Sequence, residues 1–272
     1  MAYRVLVPCL VLFSCAGTRP PPPELVAEQS GQDGAHQFHS GNFKGALRSY
    51  LKALAEARRI DDPALQARYQ FNIGRILYEC VLFDSARIRF GASVNLFTAS
   101  GDTVNAAVAG IYEALTLAGS GRGDSAVLLL RRYEDKAGEG NEDIVTAART
   151  IIFLRTGQIA VARKHAELAL ISARREKNPF LLGGIFYHQA MIAFSDGDVS
   201  ASRQLLDSSL QYLALSPWRY RNWKTLLGRA VIDYCCGDSA TAERFYRRAK
   251  MAAPPLVAFP EKTLVARCPE SW

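Results

Sequence analysis

Two histidines near the amino terminus have a spacing that could supply one side of a metal site. His36 and His39 stand three residues apart, so a helix would place both imidazoles on the same face. A structural zinc site needs about four ligands, and the neighbouring residues do not complete such a set. We therefore predict a solvated helix here, with no metal and no cofactor.

Two short motifs have the composition of catalytic loops. Residues 119–123, Gly-Ser-Gly-Arg-Gly, look like a phosphate loop, but the lysine and the Ser or Thr that complete such a loop are missing. Ser49 and Lys52 have the Ser-x-x-Lys spacing of penicillin-interacting serine enzymes, again without the companion motifs. Since no nucleophile, base and orienting group can be assembled, we predict that the protein is not an enzyme.

The densest aromatic and basic cluster is Trp-Arg-Tyr-Arg-Asn-Trp-Lys at residues 218–224. Such a cluster could stack on a sugar or a base, or lie at a membrane interface. It could also begin a helix whose aromatic side chains pack on the previous hairpin while its arginines face water. Composition alone leaves these interpretations open.

The cysteines allow either buried thiols or a disulfide. Beyond the amino-terminal segment they are Cys80, Cys235, Cys236 and Cys268. The adjacent pair suits a helix end, where small apolar groups pack well. An oxidising compartment would also permit a bridge from Cys268 to one of that pair.

A recurring small residue organises the elements that must position these groups. The steps between its copies are 40, 40, 36, 40 and 40 residues, a regularity typical of a stacked array of repeats. Glycine precedes each copy by five residues except the second, where Val81 takes its place. Glycine there permits the left-handed backbone that ends one helix before the next begins. The six small residues, called the anchors below, are Ala46, Ala86, Ala126, Ala162, Ser202 and Ala242.

Helical signals surround the anchors. In most copies a bulky apolar residue follows the anchor by four positions and a small one by seven, so the three share one helix face. An Asp or Asn precedes three of the anchors by 24 residues, at Asp62, Asp102 and Asn178. Proline follows Asp62 and Asn178 directly. An Asx N-cap followed by proline favours a helix start. Each unit is therefore predicted to be a helix, an elbow and a second helix.

This pattern resembles the tetratricopeptide repeat, whose second half carries Gly-x-aromatic-x-x-Ala-x-x-x-aromatic-x-x-Ala. The resemblance covers about residues 25–256 and implies an all-α, right-handed superhelical solenoid of about six hairpins. The family repeat is about 34 residues long, whereas the spacing here is mostly 40. The best matches are residues 41–43 with Ala46, Tyr50, Ala53 and Leu54, and residues 72–74 leading to Phe83, Ala86 and Phe90.

The amino terminus has the features of an export signal. In residues 1–14, Arg4 precedes an apolar stretch that is too short to span a bilayer. Residues 12–15, Leu-Phe-Ser-Cys, resemble the bacterial lipobox, which implies a lipid on Cys15; plain cleavage nearby would instead give a soluble form. Residues 15–24 contain a run of prolines and are predicted to be an extended tether.

The remainder is predicted to be a solenoid over residues 25–253 and a tail over residues 254–272. The tail is too apolar for a free disordered segment, so we expect it to pack over the last hairpin or into the groove. The formal charge of +7 would suit nucleic acid, anionic lipid or an acidic partner. An exported protein is not expected to meet nucleic acid.

The resemblance also implies a concave groove, because first helices line the inside of such a superhelix. The extrapolated wall is apolar with Arg68, Arg75 and Lys224 near its ends, and an exposed apolar strip of this length normally contacts something. Longer helices could instead rotate these side chains into contacts between hairpins. The implied groove residues are Arg68, Phe71, Arg75, Tyr78, Ile111, Leu115, Ile151, Leu154, Tyr187, Met191, Phe194, Lys224, Val231 and Tyr234.

Together these features predict a non-catalytic scaffold or adaptor that binds a protein partner through the groove. The chain resembles tetratricopeptide lipoproteins that are anchored outside the cytoplasm in the bacterial envelope, where they scaffold machinery or accompany solute transporters. The alternative is a protein that binds or chaperones an apolar small molecule in the same groove. The identity of the partner, and whether the chain forms a homo-oligomer, are left open.

Overall fold

The chain is built from helices that alternate in direction. In this computed structural model the described residues are 21–261, and they form twelve α-helices, two short 3₁₀-helices and no strand. The 3₁₀-helices are Glu134–Lys136 and Arg219–Arg221. The α-helices are α1 (Pro23–His39), α2 (Phe43–Arg59), α3 (Pro63–Glu79), α4 (Phe83–Ala99), α5 (Thr103–Gly119), α6 (Gly123–Tyr133), α7 (Glu142–Arg155), α8 (Ile159–Glu176), α9 (Pro179–Ser195), α10 (Val199–Leu215), α11 (Asn222–Cys235) and α12 (Ser239–Ala252).

Each odd-numbered helix packs on the helix that follows it, which gives six hairpins in a row. Neighbouring hairpins also contact each other through α2 and α3, α4 and α5, and so on along the chain. The first helices from α3 to α11 touch in succession, so they form one continuous layer. The predicted all-α solenoid of about six helical hairpins is confirmed.

The anchors are fully buried in the hairpins. All six are 0% exposed, and each lies near the start of a second helix. The hydroxyl of Ser202, the one polar anchor, donates a hydrogen bond to the carbonyl of Ala190 at 2.7 Å. Small side chains at these points let the helix axes come together without a void.

The elbow inside each hairpin turns through one left-handed residue. Gly41 has φ +79°, and Val81, at the position where glycine is missing, has φ +64°. A β-branched residue in this conformation is strained by about 1–2 kcal/mol. The side chain of Val81 lies in the same apolar cluster as Val257 and Phe259 of the tail. The exception to the glycine pattern therefore marks the elbow that the tail contacts.

The predicted N-caps are confirmed. Asp62 accepts a hydrogen bond from the backbone N–H of Leu65 at 2.9 Å, and Asp102 accepts one from that of Asn105 at 3.0 Å. Asn178 accepts from two backbone N–H groups of α9. Each cap satisfies a donor that has no partner within its own helix.

Helix α1 differs from expectation at its start. It begins at Pro23, so two residues assigned to the tether are helical, as the fixed φ of proline at a first helical position allows. Its two glycines make room for aromatic rings. A Cβ on Gly31 would lie 2.7 Å from the ring of Tyr69, and one on Gly34 would lie 2.9 Å from the ring of Tyr50.

The first hairpin meets the segment between α10 and α11, far along the chain. The rings of Phe38 and Phe43 lie 5.5 and 5.3 Å from that of Tyr220. His39 stacks on Trp218 with ring centroids 4.6 Å apart. The aromatic cluster at residues 218–224 thus joins the two ends of the array, which returns on itself. Its aromatic side chains pack inside the protein, as one interpretation expected, but on the first hairpin as well as the fifth.

Residues 254–261 extend from the last hairpin to the second. The N–H of Ala258 donates to the carbonyl of Cys80 at 3.0 Å, and the hydroxyl of Tyr246 donates to the carbonyl of Pro260 at 3.1 Å. The ring of Phe259 lies 5.5 Å from that of Tyr246. This part of the predicted tail therefore connects the sixth hairpin to the α3–α4 elbow.

Several predictions concern residues outside the described ones. They include the signal at residues 1–14, the lipid on Cys15, the first part of the tether, and Cys268 within residues 262–272. Cys80 is buried and Cys236 is exposed. Within residues 21–261, none of the helices combines the length and the apolar character that crossing a bilayer requires.

Candidate functional site

A cavity of about 1090 Å³ lies between the hairpins. Side chains of α3, α5, α7, α8, α9 and α11 form its wall, together with Ala258 and Pro260 of the tail. The second hairpin and the sixth hairpin both contribute, although they are far apart in the sequence. The predicted groove residues that line it are Arg75, Tyr78, Leu115, Ile151, Tyr187 and Lys224.

The other eight predicted groove residues do not line this cavity. Ile111 and Val231 are only 0% and 4% exposed and pack between helices. Leu154, Met191 and Phe194 pack in smaller apolar clusters of the fourth and fifth hairpins.

The remaining three also lie elsewhere. Phe71 packs edge to face on the ring of Tyr112 at 5.1 Å, Tyr234 donates a hydrogen bond to Glu243 at 3.1 Å, and Arg68 is exposed on α3. First helices of 17 residues, such as α3 and α5, are longer than those of the family repeat. Positions extrapolated from the shorter repeat therefore do not all face the cavity.

A buried carboxylate connects the second hairpin to the start of the sixth. Glu79, at the end of α3, is 4% exposed. The guanidinium of Arg221 donates to its Oε1 through Nε at 3.1 Å and also through Nη2. The ammonium of Lys224 donates to its Oε2 at 2.7 Å. We call these three residues the Glu79 clamp; the bond to Arg221 spans 142 positions of sequence.

The charges of the clamp depend on one another. Burial alone would raise the pKa of Glu79, but Arg221 and Lys224 outweigh it and hold that pKa well below its usual range. Burial also opposes the charge of Arg221, yet the adjacent Glu79 carboxylate raises the pKa of that guanidinium. For Lys224 burial prevails, and the pKa of its ammonium is lowered despite Glu79.

Positive charge is in excess at this end of the cavity. Arg155, at the end of α7, lines the cavity and forms no salt bridge within residues 21–261. Burial, together with the charges of Arg221, Arg155 and Lys224, lowers the pKa of His188 to about 3, so its imidazole is neutral. Three cations therefore face one carboxylate. We call Arg155, Arg221 and Lys224 the cationic end.

Acidic side chains line the cavity at the other end of α7. They are Glu142 and Asp143 at the start of α7 and Glu176 at the end of α8. Helix α7 lines the cavity along its whole length. Since a helix rises 1.5 Å per residue, Glu142 and Arg155 lie about 20 Å apart along its axis. We call the three carboxylates the acidic end.

The wall between these ends is mainly apolar and aromatic. It includes Leu115, Ile151, Tyr78 and Tyr187. Burial raises the pKa of Tyr78 to about 12, although Arg155 opposes the rise, so its hydroxyl is a neutral donor. An apolar wall with a few placed polar groups is typical of a ligand site.

The sequence motifs considered for catalysis lie on helices and elbows of the repeats. Ser49 and Lys52 lie on the outer helix α2, where Lys52 is exposed. The glycine-rich run is the end of α5 and its elbow, and Arg122 within it pairs with Asp84 at 2.7 Å. In the part of the chain that the structure describes, no group of three or more His, Cys, Asp or Glu side chains could hold a metal ion.

Sequence reasoning missed four residues of the site. Glu79 is the centre of the clamp, and the three that line the cavity are Arg155, His188 and Gly184. Glu79 ends a first helix two residues before the elbow that lacks glycine, and that anomaly was its one local signal. Arg155 and His188 have no repeat-based signal. They become neighbours of Lys224 only because the array closes.

These features define a class: an all-helical, tetratricopeptide-like solenoid with a cavity between its hairpins. No protein-family model matches the sequence, and no curated protein matches it. Among solved structures, the apo form of RapI is similar, with a TM-score of 0.64 and 14% identity over 87% of this chain and 85% of that one.

A second similar structure is the Rap conjugation gene regulator of the plasmid pLS20 in complex with the Phr* peptide. Its TM-score is 0.59 and its identity is 16%, over 83% of this chain and 73% of that one. At such identities the similarity concerns the fold.

Proposed function

We propose that this protein is a non-catalytic scaffold or adaptor that binds a short segment of a protein partner inside the cavity. The proposal is based on the cavity itself, which lies between the second and sixth hairpins and has a mainly apolar wall with opposite charges at its two ends. A peptide complex in a protein of similar fold supports this proposal.

The dimensions suit an extended segment. Ligand sites for small molecules usually measure about 300–1,000 Å³, and this cavity, at about 1090 Å³, is slightly larger. An extended chain advances about 3.3 Å per residue. The length of about 20 Å along α7 therefore corresponds to about six residues.

A glycine on the cavity wall offers a direct test. Gly184 lines the cavity, and a Cβ there would have only the Nη1 of Arg221 within 4 Å, at 3.9 Å. In Gly184→Trp the indole has room to enter the cavity, and replacing a mid-helix glycine favours the helix. We expect retention of a random hexapeptide pool on the immobilised protein, measured by mass spectrometry, to fall at least tenfold.

Gly91→Trp is the matched control. Gly91 is also in a helix, and its nearest foreign atoms to an added Cβ are the carboxylate oxygens of Glu113 at 3.8 Å. It does not line the cavity, so retention should equal that of the wild type. Equal retention by Gly184→Trp and Gly91→Trp, with unchanged circular dichroism, would place any peptide site outside the cavity and reject the proposal.

We also propose that a lipid on Cys15 anchors the protein outside the cytoplasm in the bacterial envelope. The lipobox-like residues 12–15 and the export signal support this. In a bacterial host, wild-type protein should fractionate with membranes and carry an acylated amino-terminal cysteine by mass spectrometry. Cys15→Ser should move it to the soluble fraction, whereas Cys9→Ser should not. An unmodified Cys15 in membrane-fractionated protein would refute the anchor.

A second candidate is an apolar small molecule in the same cavity, because the wall is largely apolar. Native mass spectrometry of freshly purified protein distinguishes the two. A single retained apolar compound, displaced in Gly184→Trp and not competed by peptides, would favour the second candidate.

A further inference from the structure

We propose that the cavity recognises the free carboxyl terminus of a short apolar peptide, with its α-carboxylate at the cationic end and its amino terminus toward the acidic end. This inference rests on the proposed function and names the chemistry and the direction of the occupant. Arg155 and Lys224 are the residues that would meet the carboxylate.

The first argument is the uncompensated charge. Glu79 already accepts from both Arg221 and Lys224. Arg155 forms no salt bridge within the described residues 21–261 and has a ring contact, with its Cζ 5.9 Å from the centroid of Phe83. Guanidinium and ammonium groups bind carboxylates through short charge-assisted hydrogen bonds. One further carboxylate would bring the cationic end closer to neutrality.

The second argument is that nothing else there supplies negative charge. The neighbouring titratable groups include Tyr78, Tyr187, Tyr220 and His188. Burial raises the pKa of the three tyrosines, and His188 is neutral. Within residues 21–261, Glu79 is the only carboxylate that pairs with these cations, and the acidic side chains that line the cavity are at its other end.

The third argument is polarity along the cavity. The acidic end lies about 20 Å from Arg155 along α7, and its carboxylates suit a cationic amino terminus. Glu176 accepts from Ser172 at 3.2 Å, Glu142 accepts from the N–H of Gly140 at 2.9 Å, and Asp143 forms no salt bridge within residues 21–261. A peptide with two free ends matches both charges at once, whereas a fatty acid or other simple anion matches one.

The experiment compares two pools of random hexapeptides that are identical except at the carboxyl terminus. One pool carries the free acid and the other a carboxamide. On the full chain we expect the free-acid pool to be retained about tenfold more than the amide pool, since a charge-assisted contact is lost in the amide. Selected free-acid sequences should be apolar in the middle.

Arg155→Gln should abolish the preference for the free acid, and Arg155→Lys should restore part of it. Arg131→Gln, which removes an exposed arginine that does not line the cavity, should leave the preference unchanged. Circular dichroism of each variant shows whether it is folded.

The outcomes separate the inference from the proposed function. Equal retention of both pools overturns the carboxylate inference and leaves peptide binding intact. Retention of amidated peptides rich in Asp or Glu shows that a side-chain carboxylate is the recognised group and also overturns it. Retention of neither pool overturns the proposed function itself.

Discussion

The substitution Glu79→Gln is expected to lower the free energy of unfolding by about 3 kcal/mol relative to the wild type. Glu79 is 4% exposed, and it is the shared acceptor of Arg221 and Lys224. Its loss leaves two cations in the wall without their partner. Removing one member of a buried ion pair typically costs about 3–5 kcal/mol, and the cations retain 34% and 27% side-chain exposure, which favours the lower figure.

Thermal unfolding followed by circular dichroism measures this effect, with an expected fall in Tm of about 6–12 °C. Asp84→Asn is the matched control, because Asp84 pairs with Arg122 on the surface and is 83% exposed. It should change stability by less than about 0.5 kcal/mol. A shift in Glu79→Gln no larger than that of the control would show that the clamp does not hold the array closed.

The clamp also gives a pH dependence of definite sign. Because the folded-state pKa of Glu79 is held below its unfolded value, its contribution is complete above the unfolded pKa, about 4.3. That contribution is lost as the pH falls through the folded-state pKa. The difference in stability between wild type and Glu79→Gln should therefore be constant near neutrality and shrink below about pH 4.

Deleting residues 256–272 is expected to cost about 2 kcal/mol and about 4–8 °C in Tm. The deletion removes the partly buried side chains of Leu256, Val257 and Phe259 and the hydrogen bond from Ala258 to Cys80. About half of the gross gain from burying these side chains is offset by the entropy of ordering the segment.

Point variants locate the cause of this loss. Phe259→Ala in the full chain should reproduce part of it, since its ring contacts Trp223 and Tyr246. Met251→Ala, at a residue 87% exposed, should have no measurable effect. An unchanged Tm of the chain that lacks residues 256–272 would mean that this segment does not stabilise the fold and that the cavity does not depend on it.

The sequence was sufficient for the helical array because the array is local. Anchor spacing, N-caps and elbow residues act within a few turns, so their periodicity predicts each hairpin. The caps at Asp62, Asp102 and Asn178 form as expected. Even the shorter 36-residue step has a local cause, since α6 has only 11 residues before the loop that contains Gly138.

The site was less predictable because it depends on contacts between the first two hairpins and residues 218–224, which are far apart in the sequence. Six of fourteen extrapolated groove residues line the cavity, since whether a position faces inward depends on helix rotation as well as on repeat register. The contact of Glu79 with Arg221 spans 142 positions, and no repeat pattern encodes it. The aromatic cluster at residues 218–224 carried the strongest signal for closure, but its partners on the first hairpin could not be read from composition.

Photo-crosslinking tests the central claim most directly. A free-acid hexapeptide pool with benzophenone at the third residue is irradiated with the full chain, and modified residues are mapped by mass spectrometry. The account predicts modification of cavity residues such as Tyr78, Ile151 and Tyr187. Modification confined to exposed apolar residues outside the cavity, such as Ile88 and Leu128, which are 64% and 68% exposed, would contradict it.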